Sequence, residues 1–228
     1  MIIAGMQKLT LVDYPKTVAC TLFTQGCNLK CPFCHNPSLV VGKCENPIDK
    51  NTLADFLTKR KGLIDGVCIS GGEPLMQESI IDFLGYIKGF GYKIKLDTNG
   101  CFPEKLREVI KSGLADHIAM DIKSSKENYS LAAGKEVDLT AICQSVELLM
   151  SSGMDYEFRT TAVKGIHTNE DFESMADWIK GAKNYYIQQF VNSGELISKG
   201  LTPFTKEEMT SLLDIVKKQI PNAWLRGI

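Results

Sequence analysis

Residues 67–98 read VCISGGEPLMQESIIDFLGYIKGFGYKIKLDT, and the fold turns on how this stretch is parsed. Val67–Ser70 is a short apolar, β-prone run closed by two glycines, Glu73 and Pro74, which punctuate rather than propagate structure. Across Glu78–Gly89 the apolar residues Ile80, Ile81, Leu84 and Ile87 recur near helical spacing. Lys93–Thr98 returns to a strand pattern and ends in Asp97, Thr98, Asn99 and Gly100. Strand, helix and strand in this order predict two parallel strands joined by a crossover helix.

The alternation extends in both directions. Val18–Thr24 reads as a buried strand and Thr52–Arg60 as a helix. Downstream, helices are expected at Pro103–Lys111, Leu139–Ser151, Glu170–Lys180 and Lys206–Gln219. Strands are expected at His117–Ile122, Glu157–Val163 and Tyr185–Val191, with Ala223–Arg226 as a short final candidate. Six strand–helix units of this kind imply a parallel sheet with helices outside it. A full eightfold barrel takes about 250 residues, so the expected fold is α/β, a partial (βα)6 TIM-like barrel. An open doubly wound sheet is the structural alternative. With no linker or repeat in its 228 residues, the chain is expected to form a single domain, 1–228.

Composition narrows the function classes. A 44% hydrophobic and 23% charged chain is globular. A net charge of −1 gives no general pull toward nucleic acid or an anionic membrane, so neither is expected as a partner. No apolar run approaches a membrane span, and MIIAGMQKLTLVDYPKT lacks the features of a secretion signal. Single free cysteines suit a reducing compartment, and the expected location is the cytoplasm.

The chemistry-bearing residues cluster at the carboxyl ends of the predicted strands, the face on which parallel α/β folds build their sites. The first strand runs into Gly26 and CNLKCPFC, with thiols at Cys27, Cys31 and Cys34. Three thiolates leave one iron of a cubane open, and an open iron can bind a small molecule. Zinc favours a fourth protein ligand, commonly in a second CxxC or a His pair. None is present, although a zinc-binding interaction module stays open as a rival class. The next strands end in Gly71, Gly72 and Glu73; in Asp97 and Asn99; and in Asp121, Ile122 and Lys123. A late strand carries Gln188 and Gln189. Taken singly, GGEP and DTNG are also ordinary turns. Together they offer acceptors for an amine (Glu73, Asp97), a cation for a carboxylate (Lys123) and an acceptor for ribose hydroxyls (Asp121).

CNLKCPFC, GGEP, LDTNG and the DxK element of MDIK, in this order, resemble the radical S-adenosylmethionine superfamily over nearly the whole chain. The glycyl-radical-enzyme activases are the most similar branch. QKLTLVDYPKTVACTLFTQGCNLKCPFCHNP and PNAWLRGI resemble the long form of the anaerobic ribonucleoside-triphosphate reductase activating proteins, and pyruvate formate-lyase activases share CHN, LDTNG and DxK. The resemblance implies a [4Fe-4S] cluster on Cys27, Cys31 and Cys34, with S-adenosylmethionine on the fourth iron. It implies an electron from flavodoxin or ferredoxin and hydrogen abstraction from a glycine of a partner glycyl radical enzyme. It further implies Gly71, Gly72, Glu73 and Asp97 around the methionine amine, Lys123 at its carboxylate, Asp121 at the ribose, and the Phe33, Cys34 and His35 backbone beside adenine. Asn99, Ile122 and Gln189 complete the expected cofactor contacts. Pyruvate formate-lyase activases carry a late-strand His where this chain offers Gln188 and Gln189. No auxiliary CxxC occurs, so one cluster is expected. Another glycyl radical enzyme, a peptide or a small molecule are the alternative targets.

The remaining candidates carry less. Arg159 either lines the site or makes an internal ion pair. His117 and His167 read as structural or exposed. Cys20, Cys68 and Cys143 read as core thiols, Cys101 lies near the expected site, and Asp13 and Tyr14 are placed at its entrance.

Overall fold

A computed structural model describes residues 1–192, 194 and 196–228. Strand order in the sheet is chain order, β1 through β8, and two compact units divide the chain.

The first unit comprises Met1–Asn28, Ser38–Thr98 and Glu104–Ile118. It contains β1 (Ile3–Thr10), β2 (Ala19–Thr24), β3 (Gly66–Gly71) and β4 (Lys93–Thr98), with α1 (Pro37–Val41), α2 (Lys50–Lys59), α3 (Ile80–Lys88) and α4 (Pro103–Ser112) following or between them. β2, β3 and β4 are parallel, as expected, with Ala19 opposite Gly66 and Gly66 opposite Lys93. The crossover helix α3 buries Ile80, Leu84 and Ile87. It begins two residues later than the periodicity predicts, because Pro74–Met76 forms a separate 3-10 turn.

β1 was not expected. It pairs antiparallel with β2, and only its end residues Ile3 and Thr10 are buried. Without buried residues at every second position there is no period-2 signal to read.

The second unit comprises Leu29–Pro37, Asn99–Pro103 and Ala119–Ile228. It holds the last three residues of β5 (His117–Asp121), then α5 (Tyr129–Ala133), α6 (Leu139–Ser151), β6 (Asp155–Ala162), α7 (Asn169–Trp178), β7 (Tyr185–Gln189), α8 (Lys206–Lys217) and β8 (Ala223–Arg226). β6, β7 and β8 are parallel, so the candidate final strand is real. Thr168 with Asp171, and Thr205 with Glu208, form capping boxes that fix where α7 and α8 start. Arg226 on β8 makes a two-pronged ion pair with buried Glu157 on β6, at 3.0 and 3.1 Å, and its guanidinium lies 3.8 Å over the Tyr186 ring.

Candidate functional site

In the first unit the end of β2 leads into Gln25, Gly26 and Cys27. The Gly72 N–H donates to the Thr24 carbonyl at 3.0 Å, and the Glu73 N–H to the Gly26 carbonyl at 2.8 Å. A Cβ on Gly72 would stand 1.8 Å from the Gly26 oxygen, and Gly71 has φ +113° with Thr24 N at 2.3 Å from any added Cβ. Gly71 is therefore demanded by the close approach of the end of β2, and Gly72 by that of Gly26 just before Cys27; the Gly72 and Glu73 N–H donors are spent on the same segment. The expected approach of a ligand amine to this pair would draw on carbonyl acceptors, which these two bonds do not use. The partner segment lies more than 40 residues away in the chain, as the Glu73–Gly26 bond spans 47 positions.

Glu73 is fully buried. Its Oε1 accepts from the Leu75 N–H at 3.0 Å, capping the 3-10 turn, and from the Thr98 hydroxyl at 2.8 Å. The carboxylate thus ties β3 to β4. Asp97, buried but for 8% of its surface, accepts from the Ser70 hydroxyl at 2.9 Å and is ion-paired with Lys95. Lys95 is 0% exposed. KIKLDT read only as a strand, so this buried cation was missed.

Asp13 and Tyr14 are not at the motif-bearing end. Tyr14 is buried against Gly66, the first residue of β3, and its ring is 6.1 Å from that of His117, the first residue of β5. Asp13 accepts from the Thr21 hydroxyl at 2.5 Å. The antiparallel return of β1 carries both residues to the amino ends of the parallel strands, away from an entrance at the carboxyl ends.

In the second unit Cys31 is buried and Cys34 half-buried, one turn apart, with the Cys34 N–H donating to the Cys31 carbonyl at 3.0 Å. This loop is seated on α5: the Lys30 N–H donates to the Ala133 carbonyl at 3.0 Å. Gly134 caps α5 at φ +70°, and a Cβ there would lie 2.0 Å from the Lys30 oxygen. Phe33 is buried, its ring 6.1 Å from His167, whereas exposed His35 faces Phe190 at 5.8 Å.

Asp121, at the end of β5, is gripped twice. Arg159 Nε donates to its Oδ1 at 2.9 Å and Lys123 Nζ to its Oδ2 at 3.0 Å. Burial pushes the carboxyl up, but the two cations overcome it and hold its pKa at about 2. Burial disfavours the Lys123 ammonium, yet Asp121 and the Cys31 sulfur hold it charged. Burial raises the Cys31 thiol, against the opposing pull of Lys123. The field of Lys123 therefore reaches the cysteine loop. Arg159 resolves as an ion-pair partner of a site residue.

Ile122 is buried, and its N–H donates to the Arg159 carbonyl at 2.8 Å. His167 is a structural residue. The Val163 N–H donates to its Nδ1 at 3.1 Å, which fixes the proton on Nε2 for the Lys123 carbonyl at 2.7 Å. Asn99 Oδ1 accepts from the Cys101 N–H at 3.0 Å, an Asx turn that holds the loop after β4. Cys101 lies close enough to Tyr129 that, after burial and against Lys123, it raises that phenol further. Cys20 and Cys68 are core thiols, but Cys143 is only half-buried because it flanks the Ile142, Ser145, Val146 and Leu149 face of α6.

Gln189, at the end of β7, donates from Nε2 to the Phe204 carbonyl at 2.8 Å, while its buried Oε1 has no hydrogen-bond partner among the described residues. A buried amide oxygen left unpaired costs free energy, and a ligand hydroxyl would satisfy it. Within this unit, Lys123, Asp121 and the Gln189 oxygen give a cation for a carboxylate and acceptors for hydroxyls. Among the described residues no three His, Cys, Asp or Glu side chains are set to hold one metal ion. A cubane instead places each thiolate on a different iron.

Residues 21–179 match the Radical SAM superfamily. A Methanocaldococcus jannaschii protein provisionally named a glycyl-radical enzyme activating enzyme is 34% identical over all of this chain and 96% of its own length. The pyruvate formate-lyase-activating enzyme of Clostridium pasteurianum is 32% identical over 58% of this chain and 57% of its own. Among solved structures, a radical SAM methyltransferase from Sphaerobacter thermophilus superposes with TM-score 0.71 at 13% identity, over 96% of this chain and 68% of that one. A domain of the pyruvate-formate lyase-activating enzyme of Bacteroides vulgatus gives 0.60 at 18% identity, over 71% of this chain and 99% of that one. These likenesses establish the partial-barrel α/β fold.

Proposed function

Since the chain belongs to the radical SAM superfamily and is an oxidoreductase of the glycyl-radical-enzyme activating kind, we propose that it installs the glycyl radical of an anaerobic ribonucleoside-triphosphate reductase. The proposed machinery is one radical SAM domain over 1–228, with Cys27, Cys31 and Cys34 as cluster ligands. A [4Fe-4S] cluster bound there supplies, on receiving one electron from flavodoxin or ferredoxin, the reductive cleavage of S-adenosylmethionine that leads to hydrogen abstraction from a glycine Cα.

The chain's own groups bind and orient. The observation that carries the reading is the Asp121–Lys123–Arg159 group, whose ammonium acts electrostatically on Cys31. Lys123 is thereby suited to a ligand carboxylate, and Asp121, kept ionised, to ribose hydroxyls. Gln189 Oε1 offers a further acceptor, in the part of the late strands where the pyruvate formate-lyase branch has His. Asp97 receives the amine. Phe33, Cys34 and His35 border adenine, and Asn99 and Ile122 shape the loops beside it. Gly71, Gly72 and Glu73 border the amine, and Gly72 and Glu73 also seat the segment that leads into the cysteine loop. All eight cysteines are free thiols, which accords with a reducing cytoplasm as the place of action.

The reductase is favoured over a pyruvate formate-lyase by Gln189 and by the opening and closing sequences of the chain. The pyruvate formate-lyase-activating relatives favour the second reading. Electron paramagnetic resonance separates them. The reconstituted protein, reductant, S-adenosylmethionine and each candidate glycyl radical enzyme should give a glycyl doublet with the reductase alone. A doublet with pyruvate formate-lyase alone would move the assignment there. No doublet with any candidate, despite 5′-deoxyadenosine formation, would remove the activase reading.

A further inference from the structure

Lys95 is a charged side chain with none of its surface exposed, one pleat deeper on β4 than Asp97. Charges are seldom left in such places, because the interior returns little of the lost hydration. The surrounding core does not require one. Cys68, which stands opposite it on β3, is fully buried, and the flanking Ile94 and Leu96, which face the other side of the sheet, are buried too. A methionine would fill the same volume.

The ammonium serves one visible partner, the Asp97 carboxylate, whose other oxygen is held by Ser70 on β3. The two contacts fix the carboxylate on two sides. Exposure differs along the pair: the Asp97 side chain is 12% exposed and that of Lys95 is 0%. A ligand can therefore reach Asp97 and cannot reach Lys95, so any effect of the lysine on a ligand passes through the aspartate.

We propose that Lys95 is the positioning residue of the amine subsite, keeping Asp97 ionised and aimed so that it binds the ammonium of an α-amino-acid ligand. This rests on the reading that Asp97 receives the methionine amine. Without the buried cation, a carboxylate in this setting takes up a proton or turns toward another donor, and in either form it attracts an ammonium less.

The test is equilibrium dialysis on the cluster-reconstituted protein with two ligands, S-adenosylmethionine and 5′-methylthioadenosine, which keeps the adenosine but lacks the amino acid. Lys95→Met should weaken S-adenosylmethionine at least fivefold and change 5′-methylthioadenosine less than twofold. Asp97→Asn should do the same. The double variant should be no weaker than the weaker single, since both changes act through one carboxylate. If Lys95→Met does not fold, Lys95→Gln, which keeps an N–H for Asp97 without the charge, takes its place with the same expectation. Unchanged or tighter S-adenosylmethionine binding in the lysine variant, beside weakened binding in Asp97→Asn, overturns the inference and leaves the amine subsite standing. Unchanged binding in Asp97→Asn removes the amine reading itself. Equal loss of both ligands, or failure of both lysine variants to fold, makes the pair structural and overturns the inference.

Discussion

Asp121 lies between two cations, and its pKa of about 2 stands below the ordinary carboxylate value near 3.9. A carboxyl whose folded pKa is depressed stabilises the fold above its unfolded pKa. That contribution is lost as pH falls from about 4 toward 2, and a shift of this size corresponds to roughly 2–3 kcal/mol. Arg159→Met should remove much of it, moving the acid-unfolding midpoint of the cluster-free protein upward and lowering neutral-pH stability in urea melts. His167 gives a test of the same sign at higher pH. It is buried and neutral, and burial lowers its pKa despite the Lys123 and Val163 contacts. The unfolded chain takes up this proton first, so stability is full above about pH 6.5 and falls as pH drops below it. His167→Gln should flatten the pH 7 to 5 limb of the stability profile, and an unchanged limb would place that titration elsewhere. At this scale the sequence was informative where chemistry is local. CNLKCPFC announces its thiols by spacing. Arg159 and Lys95 did not announce their partners, because an ion pair between residues 38 positions apart, or hidden inside a strand, leaves no trace in spacing.

The cysteine loop shows what elements contribute. In the first unit Gly72 and Glu73, just after β3, hold Thr24 and Gly26; in the second, Ala133 and Gly134 at the end of α5 hold Lys30. Gly134 and Gly153 both follow helices with positive φ, 70° and 74°, but only Gly134 has a neighbour within reach of an added Cβ. Each glycine-to-alanine change costs about 1 kcal/mol of backbone strain. Gly134→Ala must in addition displace the loop between Cys27 and Cys31. Iron retained per chain after anaerobic reconstitution should therefore drop at least twofold in Gly134→Ala and stay near the parent value in Gly153→Ala, with matching far-ultraviolet dichroism. Equal retention in the two variants would mean that the seat on α5 does not matter to the cluster. Most elements were legible from periodicity, including the late β8. β1 was not, since its pairing with β2 is decided by backbone hydrogen bonds and by burial at its two ends alone. The tasks of Gly71 and Gly72 were likewise hidden, because the chain they make room for is remote in sequence.

Across the molecule, cysteine chemistry divides into one reactive run and scattered thiols. Cys20 and Cys68 are sealed within β2 and β3, and burial pushes the Cys20 thiol up to about 12, so it offers no thiolate near neutral pH. Cys44, Cys101 and Cys143 are half-buried on separate segments, and none has a second cysteine within three residues of chain. An auxiliary cluster needs several thiolates that converge, and these residues do not supply them from any one segment. The family match over residues 21–179 includes the single close-spaced run and all the strand-end motifs through Lys123. Anaerobic reconstitution should therefore give about four irons and about four sulfides per chain, in the ratio of one cubane. Replacing any one of Cys27, Cys31 or Cys34 by alanine should cut both numbers together, whereas Cys44→Ala and Cys143→Ala should leave them near four. About eight irons per chain, or a loss of half the iron in either of the last two variants, would require a second cluster built from residues outside the run.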